Sequence, residues 1–382
     1  MPATPRVLVV GAGLTGAIAA RRMLRHGGVQ VELWEALHTV GGRMRNDVYA
    51  ADEHVLTDSG AQYITMAEGV EAIPAHQEVY SELIGAGLLV PMTGRIDGTR
   101  AADGSGTNFV CKDGLTAVVQ WLLESTSPTR PRVTLGRVVH QLDLTQTPGG
   151  ARWCVKGSDL NVLDEFDAVI LTAPSPQALE ILSCGDGASW LDASLGGSLR
   201  QSLQALQWSS RYALSLFFDQ SATAIFEQNA NWVSLYPERD PIIVFLSHDN
   251  AKRNVGGAPT LLVHSSVPYG IKGMTQGIAD EKIKEEMLEA VRRRLPWLPS
   301  PLATSLHTWR VSQVRRPLAS LPGGRACIPL RASRGAEQRK LPPLILASDA
   351  FSQHGSRFDG CVQSGEDAAA VLLDALSKGN PA

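Results

Sequence analysis

Gly11, Gly13 and Gly16 stand in the run GAGLTG. In a G-x-G-x-x-G spacing the first glycine permits a tight turn and the second lets the backbone approach a pyrophosphate. The third lets a helix pack closely on a strand. Amides at the start of the following helix then face the phosphates from the favourable end of its dipole. Glu35 lies about twenty residues further on, where a carboxylate can accept hydrogen bonds from an adenosine ribose. The competing reading is a purely structural glycine turn followed by a surface glutamate. The preceding strand, following helix and placed acid favour a site that holds a dinucleotide, without saying which one.

The next residues bear on which one. HTVGGRMRN carries a second glycine pair ending at Gly42, then Arg43. A simple NAD-dependent enzyme has no need of this GGR. A second glycine segment can wrap the same pyrophosphate from its other side, with the guanidinium fork adding charge-assisted bonds. Encirclement suits a cofactor that does not leave. TDSGAQYIT at 57–65 follows. There Asp58 is expected to cap a turn, Gly60 and Ala61 to allow close backbone approach, and Gln62 and Tyr63 to line the face of a flavin ring.

These residues need elements to position them. RVLVV at 6–10 reads as a strand, Ala17 to His26 as a helix stopped by Gly27-Gly28, and VQVELWEA as a second strand. Together they make one β–turn–α–β unit. Apolar residues at helical spacing run through 75–88, and the Gly-rich 91–107 stretch reads as a hairpin or irregular excursion. FDAVILTAP is a wholly apolar strand, as in the core of a buried sheet. From Tyr212 to Val267 the runs RYALSLFF, PIIVFLSH and TLLVHSSV read as strands, and IADEKIKEEMLEAVRRRL as an amphipathic helix closed by Pro296. LPPLILASDA then reads as a strand and CVQSGEDAAAVLLDALSKG as a long helix. The expected fold class is α/β, with a strand-rich middle inserted into a dinucleotide fold that the C-terminus completes.

Bulk properties exclude several classes. The chain has 382 residues, enough for two domains, with a formal net charge of −3. That balance gives no general attraction to nucleic acid or anionic lipid, and no apolar run is long enough to span a bilayer. The five cysteines, Cys111, Cys154, Cys184, Cys327 and Cys361, are scattered and lack CxxC pairing. Neither a disulfide framework nor a metal site is suggested. The apolar stretch near the N-terminus is the strand that feeds the glycine turn, so a signal peptide is the weaker reading. A cytoplasmic protein is expected, and secretion without a signal peptide stays open.

VLVVGAGLTG, VELWEA, VGGRM and DSGAQYIT together resemble the flavin-dependent amine oxidase superfamily, and within it the renalase-like branch. The resemblance continues through QWSSRYALSLFF, VFLSHDNAKRN, LLVHSSVPYG, WRVSQV and FDGCVQSGEDAA. It covers nearly the whole chain and departs from it in the loops at 91–107, 145–160 and 323–343. It implies a Rossmann-type FAD-binding domain, of the p-hydroxybenzoate hydroxylase and amine oxidase kind, over 1–75, 108–178 and 309–382. A strand-rich α+β substrate domain is expected over 76–107 and 179–308.

By the same resemblance FAD is bound without a covalent link. Its expected contacts are the glycine loop with Thr15, Glu35, Gly42, Arg43, Gln62 and Tyr63, then Asp349 and the helix-opening amides at Gly360 and Cys361. Cys361 does not match the cysteine used by covalent amine oxidases. The resemblance implies oxidation of NAD(P)H isomers reduced at the 2- or 6-position, with β-NAD(P)⁺ and hydrogen peroxide as products and molecular oxygen as the electron acceptor. Tyr63, His264 and Trp309 match the positions that line the active site. Tyr63 and Trp309 would wall a flat nicotinamide and His264 would orient its carboxamide, with Arg310 a further candidate for phosphate or flavin contact. Each has a structural alternative: Trp309 as core, Tyr63 as a sheet residue, His264 as a satisfied strand histidine. Two other functions stay open. An amine oxidase usually has a lysine bridged by water to the flavin, and Lys252 and Lys272 sit in what read as loops. A non-catalytic flavin-carrying signalling protein has no physical handle in the sequence.

Overall fold

The computed structural model describes residues 4–98, 106–125, 129–194, 198–318, 321–330 and 341–379. Two compact units divide the chain. One is Met1–Gly42, Val119–Gln207 and Val314–Ala382; the other is Arg43–Val118 and Trp208–Gln313. Their boundaries differ from the division expected from the sequence. Residues 43–75, 108–118 and 309–313 fall with the strand-rich unit, and 179–207 fall with the nucleotide fold.

The first unit is built on a six-stranded sheet. Its order is Cys327–Leu330, Leu344–Ala347, Ala168–Leu171, Arg6–Val10, Gln30–Trp34, Arg132–Thr134. All neighbours are parallel except the edge strand Cys327–Leu330, which runs antiparallel to Leu344–Ala347. Ala168–Leu171 is wholly buried, as a strand in the middle of a covered parallel sheet must be. The 323–343 segment read as a loop from sequence, yet Cys327–Leu330 is a strand. Pro329 sits on an edge, where its missing N–H costs no ladder bond. Residues 331–340, and 99–105 of the other variable stretch, lie outside the described residues.

The first helix, Leu14–His26, begins three residues before the expected Ala17, because Gly13 is extended and serves as its N-cap. It ends at Gly27, whose φ of 79° suits a residue without a Cβ. The last helix, Phe358–Gly379, packs on it. A Cβ on Gly365 would lie 2.7 Å from the Thr15 carbonyl oxygen and 2.8 Å from the Ile18 side chain, so the two helices meet at backbone distance. A three-stranded meander, Gln141–Thr147, Gly150–Lys156 and Val162–Phe166, completes this unit together with the helices Ser175–Ile181, Gly185–Ala193 and Leu199–Gln204.

The second unit centres on a sheet ordered Ala303–Trp309, Arg211–Phe217, Thr260–Ser265, Ile243–His248, Ser234–Leu235, Ile96–Asp97. Period-two alternation sorts its side chains. Tyr212, Leu214, Leu216, Leu261 and Val263 join one core cluster with Ile283, Met287, Ala290 and Val291 of the helix Asp280–Arg294. The alternate residues, Arg211, Ala213, Ser215 and His264, therefore occupy the opposite face. The helix carries Asp280 and Glu281 in its first turn and three arginines in its last, both favourable to its dipole. Lys252 and Lys272, read as loop residues, lie on the helices Asp249–Lys252 and Val267–Gln276. No helix among the described residues is long and apolar enough to cross a membrane.

Candidate active site

The nucleotide-binding elements of the first unit are built from backbone. Gly11 has φ of +108°, and a Cβ there would sit 2.6 Å from Thr172 Oγ1. A Cβ on Gly16 would fall 2.1 Å from the Gly11 carbonyl oxygen, so this glycine brings the helix onto the turn. Two glycine segments meet side by side. Gly41 donates to the Ala12 carbonyl at 2.9 Å, and a Cβ on Gly42 would lie 3.2 Å from the Gly13 Cα. Glu35 is held by two backbone amides, Ala12 N–H at 2.9 Å and Leu37 N–H at 2.9 Å, one to each carboxylate oxygen. The first helix has no side-chain cap and no acid in its first turn. An open, uncapped helix end beside two side-chain-free segments, with an acid anchored at the end of the next strand, fits the adenosine diphosphate half of FAD.

Other expected contacts in this unit are more deeply set. The Thr15 side chain is buried. Asp349 is fully buried, and its carboxylate accepts from the hydroxyls of Ser348 and Ser356. Gly360 and Cys361 are in the first turn of the last helix. A Cβ on Gly360 would collide with the Gly355 carbonyl oxygen at 2.1 Å, and the Cys361 amide already donates to Arg357 O at 3.3 Å. Burial pushes the thiols of Cys111 and Cys327 up to about 12, which leaves them inert.

The second unit carries Arg43, Gln62 and the three proposed catalytic side chains. Arg43 donates to the Ser312 carbonyl at 3.1 Å, and its guanidinium lies 5.6 Å from the Trp208 ring centre. The segment after it pairs with the next motif: Ala61 N–H donates to Arg43 O at 2.8 Å, and Gly60 has no space for a Cβ, which would lie 2.1 Å from the same oxygen. Gln62 folds back on its own turn, with its amide nitrogen donating to the carbonyls of Asp58 and Gly60. Its Oε1 is buried without a hydrogen-bond partner, an acceptor waiting for a donor such as a flavin N–H.

Tyr63, His264 and Trp309 are linked through a continuous run of contacts. Trp309 Nε1–H donates to the Ser59 carbonyl at 2.9 Å, and His264 Nε2 lies 3.3 Å from that oxygen. Tyr63 Oη is 2.9 Å from Tyr236 Oη; the Tyr236 ring lies 5.0 Å from Phe245, and Phe245 lies 5.7 Å from His264. Arg211 pairs with Trp309 across the sheet, and Ala213 pairs with both His264 and His307. Around His264 and Trp309 this face is aromatic, with the Arg211 backbone paired beside Trp309. Asp58, expected as a turn cap, is instead fully buried: its Oδ1 accepts the Leu115 amide at 2.8 Å and its Oδ2 faces Lys252 Nζ at 2.9 Å. Arg310 is exposed, and its carbonyl accepts from Ser210 Oγ at 2.6 Å.

Burial, and then the Arg211 charge, lower the His264 pKa to about 3, so the ring is neutral at pH 7. A carbonyl oxygen only accepts, so a hydrogen bond from His264 to Ser59 requires the proton on Nε2 and leaves a lone pair on Nδ1. Sequence reasoning did not single out Ser59, Tyr236, Phe245 or Arg211. The alternation in PIIVFLSH and RYALSLFF held a usable signal for Phe245 and Arg211, since it fixes which residues share a face with His264. Nothing local marks Ser59, which acts through its backbone.

The flavin containing amine oxidoreductase family matches residues 92–373, and an NAD(P)-binding Rossmann-like domain matches 9–83. Renalase of Mus musculus is 32% identical over 372 residues, covering 96% of this chain and 98% of its own. A crystal structure of a putative protoporphyrinogen oxidase from Exiguobacterium sp. 255-15 aligns with a TM-score of 0.64 at 15% identity, over 97% of this chain and 99% of that one. Cyclohexylamine oxidase from Brevibacterium oxydans aligns with a TM-score of 0.65 at 12% identity, over 98% and 100%. At those identities the two structures speak for the fold alone.

Proposed function

The chain belongs to the flavin containing amine oxidoreductase family, in its renalase branch, and FAD is its cofactor; from that premise we propose that it oxidises nicotinamide dinucleotides reduced at the 2- or 6-position. A dihydro-NAD(P), a proton and O₂ would give β-NAD(P)⁺ and H₂O₂. Bound FAD, held non-covalently, supplies the two-electron acceptor that oxygen then regenerates. The observation that carries the reading is the joint seating of His264 and Trp309 on the Ser59 carbonyl, within one aromatic face that runs on to Tyr63.

The residues divide the work. Backbone at Gly11–Gly13 and Gly41–Gly42, with the open helix end at Gly13, would hold the pyrophosphate, and Glu35 the ribose. Tyr63 and Trp309 present flat apolar surfaces to a nicotinamide. His264, neutral and protonated on Nε2, offers Nδ1 to the carboxamide N–H and so sets the ring's orientation. Arg211 places a positive charge at the end of the same face, suited to a phosphate of the visiting dinucleotide. Hydride transfer takes no proton from the substrate, so the low pKa of His264 is no obstacle to it.

An amine oxidase usually has a lysine that holds a water against the flavin. Lys252 is fully buried in ion pairs, and Lys272 is exposed on its helix. The deciding experiment is anaerobic: purified yellow protein is mixed with 2-dihydro-NAD, 6-dihydro-NAD, putrescine or a monoamine, and flavin absorbance is followed. Bleaching by a dihydro isomer, then peroxide on admitting air, is expected. Bleaching by an amine alone would replace this reading.

A further inference from the structure

The second unit buries four charged side chains that the proposed chemistry does not use. Lys252, Asp249 and Asp58 have no exposed surface and Arg253 has 2%. Lys252 Nζ lies 2.6 Å from Asp249 Oδ1 and 2.9 Å from Asp58 Oδ2. Asp249 Oδ2 accepts the Asp58 amide at 3.0 Å and lies 3.3 Å from Arg253 Nε. The Arg253 Nη atoms donate to Lys112 O at 2.6 Å and Leu56 O at 3.0 Å. Two carboxylates thus meet two cations, and all four carboxylate oxygens are engaged. Attraction to both carboxylates outweighs burial and raises the Lys252 pKa, so its charge persists.

Stability alone is a poor reason for such a cluster. Desolvating buried ions costs about as much as their pairing returns, and apolar replacements of equal volume are often as stable. What the cluster does is fix a backbone. Asp58 is held at its amide by Asp249 and at its carboxylate by Lys252 and Leu115. The next carbonyl, that of Ser59, is the one on which Trp309 and His264 converge.

We propose that Lys252 is a positioning residue: by pinning Asp58 it aims the Ser59 carbonyl at His264 Nε2 and so locks the imidazole in the tautomer that offers Nδ1 to the ligand. The last clause rests on the functional reading above; the locking itself does not. With the cluster loosened, the carbonyl swings away and Nε2–H loses its acceptor. The imidazole then exchanges between tautomers, and the Nδ1–H form presents a donor where the carboxamide also presents one.

Nitrogen-15 NMR of the FAD-loaded protein, labelled in histidine, reads the tautomer without substrate. Wild type is expected to show His264 protonated on Nε2 alone; an Nδ1–H or averaged signal there overturns the proposal whatever any variant does. The charge-balanced double variant Lys252→Met/Asp58→Asn is expected to retain FAD, lose the single tautomer and be reduced by the dihydro isomer roughly tenfold to a hundredfold more slowly. Asp58→Asn alone, which keeps its shape and the Leu115 contact, should lose the single tautomer too, and serves if the double variant does not fold. A folded variant with the wild-type tautomer and rate overturns the proposal. A lost tautomer in protein that no dihydro isomer reduces even as wild type upholds the positioning and removes the functional reading instead.

Discussion

Ser59 contributes no side-chain chemistry, yet its carbonyl organises the aromatic face. Its oxygen has two lone pairs, and Trp309 Nε1–H and His264 Nε2 occupy them. Trp309→Phe separates the two roles of the indole, because it keeps a flat apolar wall and deletes the donor. The expected result is unchanged FAD content and flavin reduction slowed about five- to tenfold, the worth of one buried hydrogen bond. Stopped-flow reduction measures it; an unaltered rate would reduce Trp309 to packing. Backbone constraints set by spacing were legible in the sequence. Gly11, Gly13, Gly16 and Glu35 could be read because a strand, a turn and a helix constrain what each does. Lys252 could not, since its partner Asp58 is 194 residues away and nothing local marks either as buried. His264 in LLVHSSV read equally well as a satisfied strand histidine, and its contact with the Ser59 carbonyl is compatible with both readings.

At the scale of elements, the contact between the first and last helices sets where the amides at Gly13–Gly16 point. Gly365 makes that contact possible. Gly365→Ala would put a methyl 2.7 Å from the Thr15 carbonyl oxygen and 2.8 Å from the Ile18 side chain, so one helix must shift. Overpacking of this kind costs about 1–3 kcal/mol. The variant should melt several degrees lower and release FAD at a lower temperature than wild type, as followed by the rise of flavin fluorescence on heating. A wild-type release temperature would show that the helix pair does not govern cofactor retention. The long periodic elements were readable from sequence: the first strand, the wholly apolar Ala168–Leu171, the three strands of the second unit and the helix Asp280–Arg294. The short helices between 175 and 204 were not, because segments of six to nine residues carry too few turns for a periodicity to emerge. The edge strand Cys327–Leu330 was masked by its proline and by the polar residues that follow.

On the scale of the whole molecule, folding withdraws several ionisable groups from water, and the histidines among them set how stability responds to acid. Burial lowers the His248 pKa to about 4 and, with Arg211 next, that of His264 to about 3; burial also lowers His307. All three are ordinarily near 6.5 in an unfolded chain. Between pH 6.5 and about 4 the unfolded chain binds protons that the fold refuses, so stability must rise with pH there and be lost as pH falls through that window. Asp164, held low by its hydrogen bonds to Arg6, acts in the same direction at lower pH. Asp58 opposes them, because desolvation raises its pKa. His248 allows a clean test. Its ring lies 4.9 Å from that of Phe226 at a tilt of 44°, its Nε2 is buried without a partner, and it has no assigned part in the chemistry. His248→Leu removes a titrating group without breaking a hydrogen bond. Circular-dichroism melts should show wild type losing stability steadily from pH 6.5 to 4.5, and the variant losing less. Where wild-type His248 is neutral in the fold and protonated in the unfolded chain, the two slopes should differ by about 1.4 kcal/mol per pH unit. Parallel curves would mean that His248 is protonated inside the fold, and that the acid response comes from the carboxylates.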